Sequence, residues 1–290
     1  MKRKRITMRK KLALALTGVA TLFALTACGG GSAAAPSASN TGEAAAPIVV
    51  KVGASPIPHA QILEYIDQNL AAKAGIDLDI TQIDDYQTPN IALADKTLDA
   101  NYFQTQAYLD DQMKTKGYKF EPGAGVHVEP LTAFSKQFKD VASVTEGSTV
   151  LLNNDPVNQL RGLRVLETAG LLTGLEDGDS ALSLTDNAAK NPKKLTFQEV
   201  NSEQVPKFYQ EDPKIGLAII NGNYIVAAKL NPEEIIAQEA AVNNPNANFL
   251  TWREGEKTDG VAKLEELLHS DEVREYIKST WTDGSVLPAF

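Results

Sequence analysis

The sequence predicts an α/β protein of two lobes, each built on a mainly parallel sheet flanked by helices. Three observations lead there. Short β-branched or apolar runs alternate with segments of helical periodicity. The alternation comes in two series joined near residues 129–135, and no fixed-period repeat overlies it.

The first series opens with Ile48-Val49-Val50-Lys51-Val52-Gly53, a β-branched run closed by glycine, so folded structure is expected from Ile48 onward. Residues 59–73 carry Ile62, Leu63, Ile66 and Leu70 at helical spacing, and Ile76–Ile80 alternates as a strand. Asn90–Lys96 reads as a short helix, and Thr105–Lys116 as another that ends before Gly117. In the second series, Thr149–Leu152 is a strand and residues 157–169 a helix stopped by Gly170. Leu195–Val200 reads as a strand, Glu203–Tyr209 as a short helix, and Gly216–Ile220 as a fully apolar strand. A last strand at Phe249–Arg253 precedes an amphipathic helix marked by Val261, Leu264, Leu267 and Leu268. Open α/β sheets hold ligands beyond the carboxyl ends of their strands. Two lobes facing each other there would form a cleft able to close over a small molecule.

Ahead of both series stands a leader. Lys2, Arg3, Lys4, Arg5, Arg9, Lys10 and Lys11 precede an apolar run at residues 12–24, which is short for a span of about 20 residues. Leu25-Thr26-Ala27-Cys28 follows, and this pattern resembles a bacterial lipobox, whose thiol takes a diacylglycerol and becomes the first mature residue. Residues 1–27 thus read as a signal peptide and Cys28 as the lipidation site. The Gly/Ala/Ser/Pro-rich stretch up to residue 47 reads as a flexible tether. The rest is expected outside the cytoplasm, anchored to a membrane by lipid, in a periplasm or on the outer surface of the plasma membrane.

Charge excludes one class of partner. The leader holds seven of the 28 Lys+Arg and no acid, so residues 28–290 carry 21 bases against 37 acids, a formal −16. Such a surface repels nucleic acid. Cys28 is the only cysteine, so no disulfide or thiolate metal site is expected. His59, His127 and His269 show no paired ligand spacing and read as satisfied or surface histidines; His59 could cap its helix or face the cleft, with a cap or an exposed position the preferred reading. No Gly-x-Ser-x-Gly elbow, phosphate loop or His-Glu-x-x-His occurs, so neither an enzyme nor a cofactor is expected.

Three constellations suit a small ligand. Asp155-Pro156 opens a helix after a strand, with Asn158 and, one turn in, Arg161, whose guanidinium could grip a carboxylate through two parallel bonds. A capped helix with a surface arginine fits the same pattern. Tyr86, Phe103 and Tyr108 could wall an apolar pocket or fill a core. Asn221 ends an apolar strand, where its amide can serve a zwitterion or a turn.

In order, the chain carries Val52-Gly53-Ala54-Ser55-Pro56-Ile57-Pro58-His59-Ala60, Asp85-Tyr86-Gln87-Thr88-Pro89-Asn90-Ile91-Ala92-Leu93 and Leu98-Asp99-Ala100-Asn101-Tyr102-Phe103-Gln104. Tyr108-Leu109-Asp110, Asn154-Asp155-Pro156-Val157-Asn158 with Arg161, and Ala218-Ile219-Ile220-Asn221 with Tyr224 complete the set. Behind a lipobox, this series resembles the methionine-binding lipoproteins, substrate-binding components of a bacterial ABC importer, over nearly the whole mature chain. The resemblance implies a two-lobed periplasmic-binding-protein-like fold (type II), with residues 48–130 and 249–290 in one lobe and 131–248 in the other. It implies that Arg161 pairs with the carboxylate of a free amino acid, most simply methionine. Asn158 and Asn221 would bond the ligand's polar end, joined by Asn248, and Tyr86, Phe103 and Tyr108 would surround its side chain. The implied partners are the transporter's permease and ATPase subunits, with the binding protein itself a monomer. Where the family carries a histidine and then a proline after Phe103-Gln104, this chain has Thr105 and Ala107. Thr105 puts a smaller hydroxyl-bearing side chain on the pocket wall. Another amino acid, a short peptide, or an extracytoplasmic lipoprotein enzyme remain alternative readings.

Overall fold

A computed structural model describes residues 46–290; the signal peptide, Cys28 and nearly all of the tether lie outside the described residues. Strand β1 (Ile48–Ala54) starts where the β-branched run does and leads through a turn into α1 (Gln61–Ile66), whose helical path continues to α2 (Ala72–Ala74). Next come β2 (Ile76–Gln82), α3 (Thr88–Ala94), β3 (Ala100–Thr105), α4 (Gln106–Lys116) and β4 (Phe120–Val128). The chain then crosses to β5 (Thr132–Phe134), β6 (Thr149–Asn153), α5 (Pro156–Thr168), α6 (Ala181–Leu184) and β7 (Thr196–Val200). Helix α7 (Val205–Glu211), β8 (Ile215–Ile220), α8 (Gly222–Ala228) and β9 (Ile235–Gln238) follow. A second crossing leads to β10 (Ala247–Arg253), α9 (Asp259–Leu268), α10 (Asp271–Thr280) and β11 (Leu287–Pro288).

The strands form two sheets, ordered β11-β4-β10-β3-β1-β2 and β7-β6-β8-β5-β9. Their pairing is mixed, not mainly parallel. Parallel ladders join β1 to β2 and β3, and β6 to β7 and β8; the other pairs are antiparallel. The antiparallel partners β4, β10, β5 and β9 are the strands that flank the two crossings. Antiparallel neighbours can pair without the helical crossover that parallel neighbours need.

Each sheet is covered on both faces. Along β8, Leu217 and Ile219 enter one core with Leu163 and Leu166 of α5, while Ala218 and Ile220 enter another with Val205 and Tyr209. That is why Gly216–Ile220 is apolar throughout. Burying one such Leu or Ile contributes roughly 2 kcal/mol. In the first sheet, Val261, Leu264 and Leu268 of α9 pack with Val50, Val52 and Leu250, while Leu93, Leu109, Phe120 and Phe249 fill the other face. Thr258 caps α9 by accepting the Val261 N–H at 3.2 Å.

Strand β3 has no counterpart among the sequence-predicted elements. Its residues are wholly buried, yet it reads polar because Asn101 and Gln104 exchange hydrogen bonds with Asn90 of α3. Satisfied amides sit in a core without an apolar signature.

Candidate functional site

The aromatic wall comes from three places in the first-sheet unit. Phe103 points into the site from β3, Tyr108 from the first turn of α4, and Tyr86 from the loop before α3. The ring centroids of Tyr86, Phe103 and Tyr108 lie 5.9–6.1 Å apart, within the range of favourable edge contacts. The Tyr108 hydroxyl donates to the Tyr86 carbonyl at 2.8 Å and fixes the loop. From the second-sheet unit, α8 brings Asn223, whose Oδ1 accepts from the Tyr86 hydroxyl at 2.6 Å, and Tyr224, whose hydroxyl donates to the Asp84 carbonyl at 2.6 Å. These bonds join the two halves directly.

Helix α5 supplies the opposite wall. Pro156 occupies its first turn and Asp155 caps it, accepting from the Asn158 backbone N–H at 2.8 Å. The helix terminus is therefore satisfied by the chain's own carboxylate and is not left open for a ligand anion. Side-chain amides line up behind it. Asn153 donates to Asn221 at 3.1 Å, Asn221 donates to Asn158 at 2.9 Å, and Asn158 donates to Asp155 at 3.2 Å.

The floor holds the groups that linear spacing concealed. His59 and His127, separated by 68 positions, converge with Glu129, their ligand-type atoms lying within 4.8 Å of one another. With Glu129 ionised, His127 Nε2 carries the proton and donates to its Oε1 at 2.7 Å, while His127 Nδ1 accepts from the Tyr102 hydroxyl. His59 Nε2 donates to Asn248 Oδ1 at 3.1 Å and lies 3.4 Å from Glu129. Burial lowers His59 to a pKa of about 4 and His127 to about 3, so both are neutral near pH 7. Burial also raises Glu129, against the pull of His59, Arg161 and the Asn223 N–H. Of the readings open to His59, the cleft-facing one holds and the preferred one does not: the ring is buried and lines the cavity. His127 is the satisfied histidine expected of it, and His269 stands apart, bonded to the Glu265 carbonyl at 2.8 Å.

Arg161 lines the cavity, and part of its guanidinium is already partnered within the chain. Its Nε and Nη2 form a fork onto Glu239 at 2.7 and 2.6 Å, and Nη2 also donates to the Glu129 carbonyl at 3.1 Å. The two-bond carboxylate grip therefore exists, with a protein carboxylate in it. Burial pushes Glu239 up, but the Arg161 bonds, the Leu131 N–H and the Asn244 amide hold it below the ordinary carboxylate range.

Tyr86, Phe103, Thr105, Tyr108, Asn158, Arg161, Asn221 and Asn248 all line one cavity, together with His59, Gln104, Glu129, Gly222 and Asn223. Its free space is about 30 Å³, more than the roughly 10–15 Å³ that one water needs, and the Tyr86–Asn223 and Tyr224–Asp84 bonds hold the halves closed on each other. Sequence reasoning missed Glu129 and Glu239. The signal for Glu129 was its position at the expected junction of the two series, where a buried acid has structure on both sides. No local pattern singles out Glu239.

Two α/β units, linked by two crossings and closed over a polar cavity, define a two-lobed fold of the periplasmic-binding-protein type. Residues 50–290 match the family described as NlpA lipoprotein, and the chain belongs to that family. It is 39% identical over 243 residues to the methionine-binding lipoprotein MetQ of Bacillus subtilis, covering 82% of this chain and 87% of that one. Among solved structures, a periplasmic substrate-binding protein of an ABC transporter from Coxiella burnetii superposes with a TM-score of 0.75 at 33% identity, covering 83% of this chain and all of that one. A nutrient-binding protein from Burkholderia cenocepacia, bound to methionine, gives a TM-score of 0.74 at 32% identity, with coverage of 83% and 100%.

Proposed function

We propose that this chain is a membrane-anchored extracytoplasmic receptor that captures methionine between its lobes and delivers it to an ABC importer. The observation that carries the reading is a closed cavity with opposite charges at two poles beside an aromatic wall. Arg161 faces it from α5, Glu129 from the end of β4, and Tyr86, Phe103 and Tyr108 line the space beside them. A zwitterion with an apolar tail matches this arrangement. In this reading the ammonium goes to Glu129 and the carboxylate to Arg161, with Asn158, Asn221 and Asn248 around them. The relatives named for methionine support the choice of tail.

The Tyr86–Asn223 and Tyr224–Asp84 bonds bar the way in, so entry requires the lobes to part and those bonds to break. Ligand that touches both lobes then favours closure by its differential affinity for the closed state. The transporter's permease would read that closed form. Lipidation at Cys28 would confine the receptor to the membrane plane near its partner; among the described residues, no helix is long and apolar enough to cross a membrane. The receptor acts as a monomer.

Thermal unfolding with a panel of amino acids and short peptides tests this. Methionine at 100 times its dissociation constant should add about 2.7 kcal/mol, a rise on the order of 5–10 °C in the midpoint. A larger rise with another amino acid would reassign the ligand. No rise with any of them, for protein freed of co-purified solute, would refute amino-acid binding.

A further inference from the structure

We propose that Glu239 is a positioning residue for the carboxylate end of the site, coupling Arg161 to the paired crossings between the lobes. The inference rests on the amino-acid reading above and extends it to a residue outside the cavity wall.

Four observations meet at Glu239. Its carboxylate takes the whole Nε–Nη2 edge of Arg161, at 2.7 and 2.6 Å. That fork fixes the plane of the guanidinium and leaves Nη1, with two N–H groups, as the nitrogen without a protein acceptor among the described residues. The same carboxylate accepts the Leu131 N–H at 3.0 Å, and the Glu239 N–H donates to the Leu131 carbonyl at 2.9 Å. Leu131 belongs to the first crossing, between β4 and β5, and Glu239 begins the second, between β9 and β10. One residue therefore ties the two crossings together through both backbone and side chain. Asn244, farther along the second crossing, donates to Oε2 at 3.1 Å and completes the cage. The Arg161 and Glu239 side chains are only 13% and 14% exposed, so water does little to loosen the pair.

A consequence follows for recognition. The ligand carboxylate meets one guanidinium nitrogen held at a set angle, not a mobile two-pronged arginine. Its grip depends on Glu239 keeping that angle.

The test compares methionine with methioninamide, which keeps the ammonium and the tail and lacks the carboxylate, by calorimetric titration of the full lipidated chain in detergent. Glu239→Gln keeps the size of the side chain but replaces one acceptor by a donor, so the fork cannot form. The expected result is a loss of roughly tenfold or more in methionine affinity, the scale of a charge-assisted hydrogen bond, with methioninamide affinity changed less than about twofold. Glu239→Asp keeps the charge on a shorter arm and should lie between; it carries the comparison if the Gln variant does not fold. Equal losses for both probes would reduce Glu239 to a purely structural role and overturn the inference. Tighter methionine binding would also overturn it, because Glu239 would then be a competitor for Arg161. An unchanged ratio between the probes, in a variant of a wild type that distinguishes them, sinks this inference alone. A wild type that binds neither probe sinks the amino-acid reading and this inference with it.

Discussion

The two poles of the cavity handle charge in opposite ways. At the floor, Glu129 is a buried acid met by two neutral donors, His127 Nε2 at 2.7 Å and the Asn223 N–H, while His59 Nε2, whose proton goes to Asn248, lies 3.4 Å away. The acid has no full counter-charge of its own, and burial raises its pKa. At the α5 wall, Arg161 already owns a carboxylate in Glu239. In the proposed reading the floor receives a cation, whereas the wall offers an anchored cation with one nitrogen to spare. The lesson is that equal and opposite ligand charges need not be met by mirror-image sites. A group poised by desolvation gains from any positive partner. A group poised by an existing ion pair instead supplies fixed geometry.

Three substitutions press on that difference. Arg161→Ala should have the largest effect, because it damages both binding and folding. It removes the partner proposed for the ligand carboxylate and strands Glu239 as a buried anion, which costs about 3 kcal/mol of stability in the free protein. Methionine affinity should fall about a hundredfold. Denaturant unfolding and calorimetric titration read the two effects separately, and an unchanged free-protein stability would show that the pair is dispensable. Glu129→Gln should cost a similar hundredfold in affinity with no loss of free-protein stability, since a neutral amide replaces a carboxylate whose charged form burial disfavours. If it destabilises the protein as much as Arg161→Ala, the poles are alike and the contrast fails.

The last comparison concerns pH. His59 has an ordinary pKa of 6.5 when unfolded and about 4 when folded, so the unfolded chain binds more protons between those values. Its contribution is intact above pH 6.5 and is lost as pH falls toward about 4, on the order of 3 kcal/mol across the window. Glu129 acts in the reverse sense, because its raised pKa favours the protonated folded form at low pH. His59→Gln should therefore flatten the acid limb of stability against pH relative to the wild type. Identical profiles for the two proteins, by thermal unfolding at matched ionic strength, would place the proton uptake elsewhere. Ligand affinity should decline on acidification as Glu129 takes up a proton, and it should do so above the ordinary carboxylate range.

Much of the α/β pattern was legible because it depends on local periodicity. Strands β1, β6 and β8 and helices α4, α5 and α9 are written in apolar spacing and in caps such as Gly117 and Asp155. Strand β3 was hidden because its buried amides satisfy one another and leave no hydrophobic trace. Helix α8 begins where Gly222 lets its backbone press against Glu129; a Cβ there would stand 2.5 Å from that of the acid. Nothing in the local sequence announces so close an approach.

Local pattern and the family resemblance together singled out eight residues that line one cavity, because side-chain identity is kept wherever the fold carries it. Tertiary structure decided their partners. Arg161 was visible as a cation near a helix start, but its fork onto Glu239, 78 positions away, depends on the meeting of two crossings. His59, His127 and Glu129 are unremarkable as separate residues and become an electrostatic unit only when burial removes water from all three. Local spacing encodes periodicity and capping; long-range proximity and desolvation exist only in the folded chain, and they set the charge of this site.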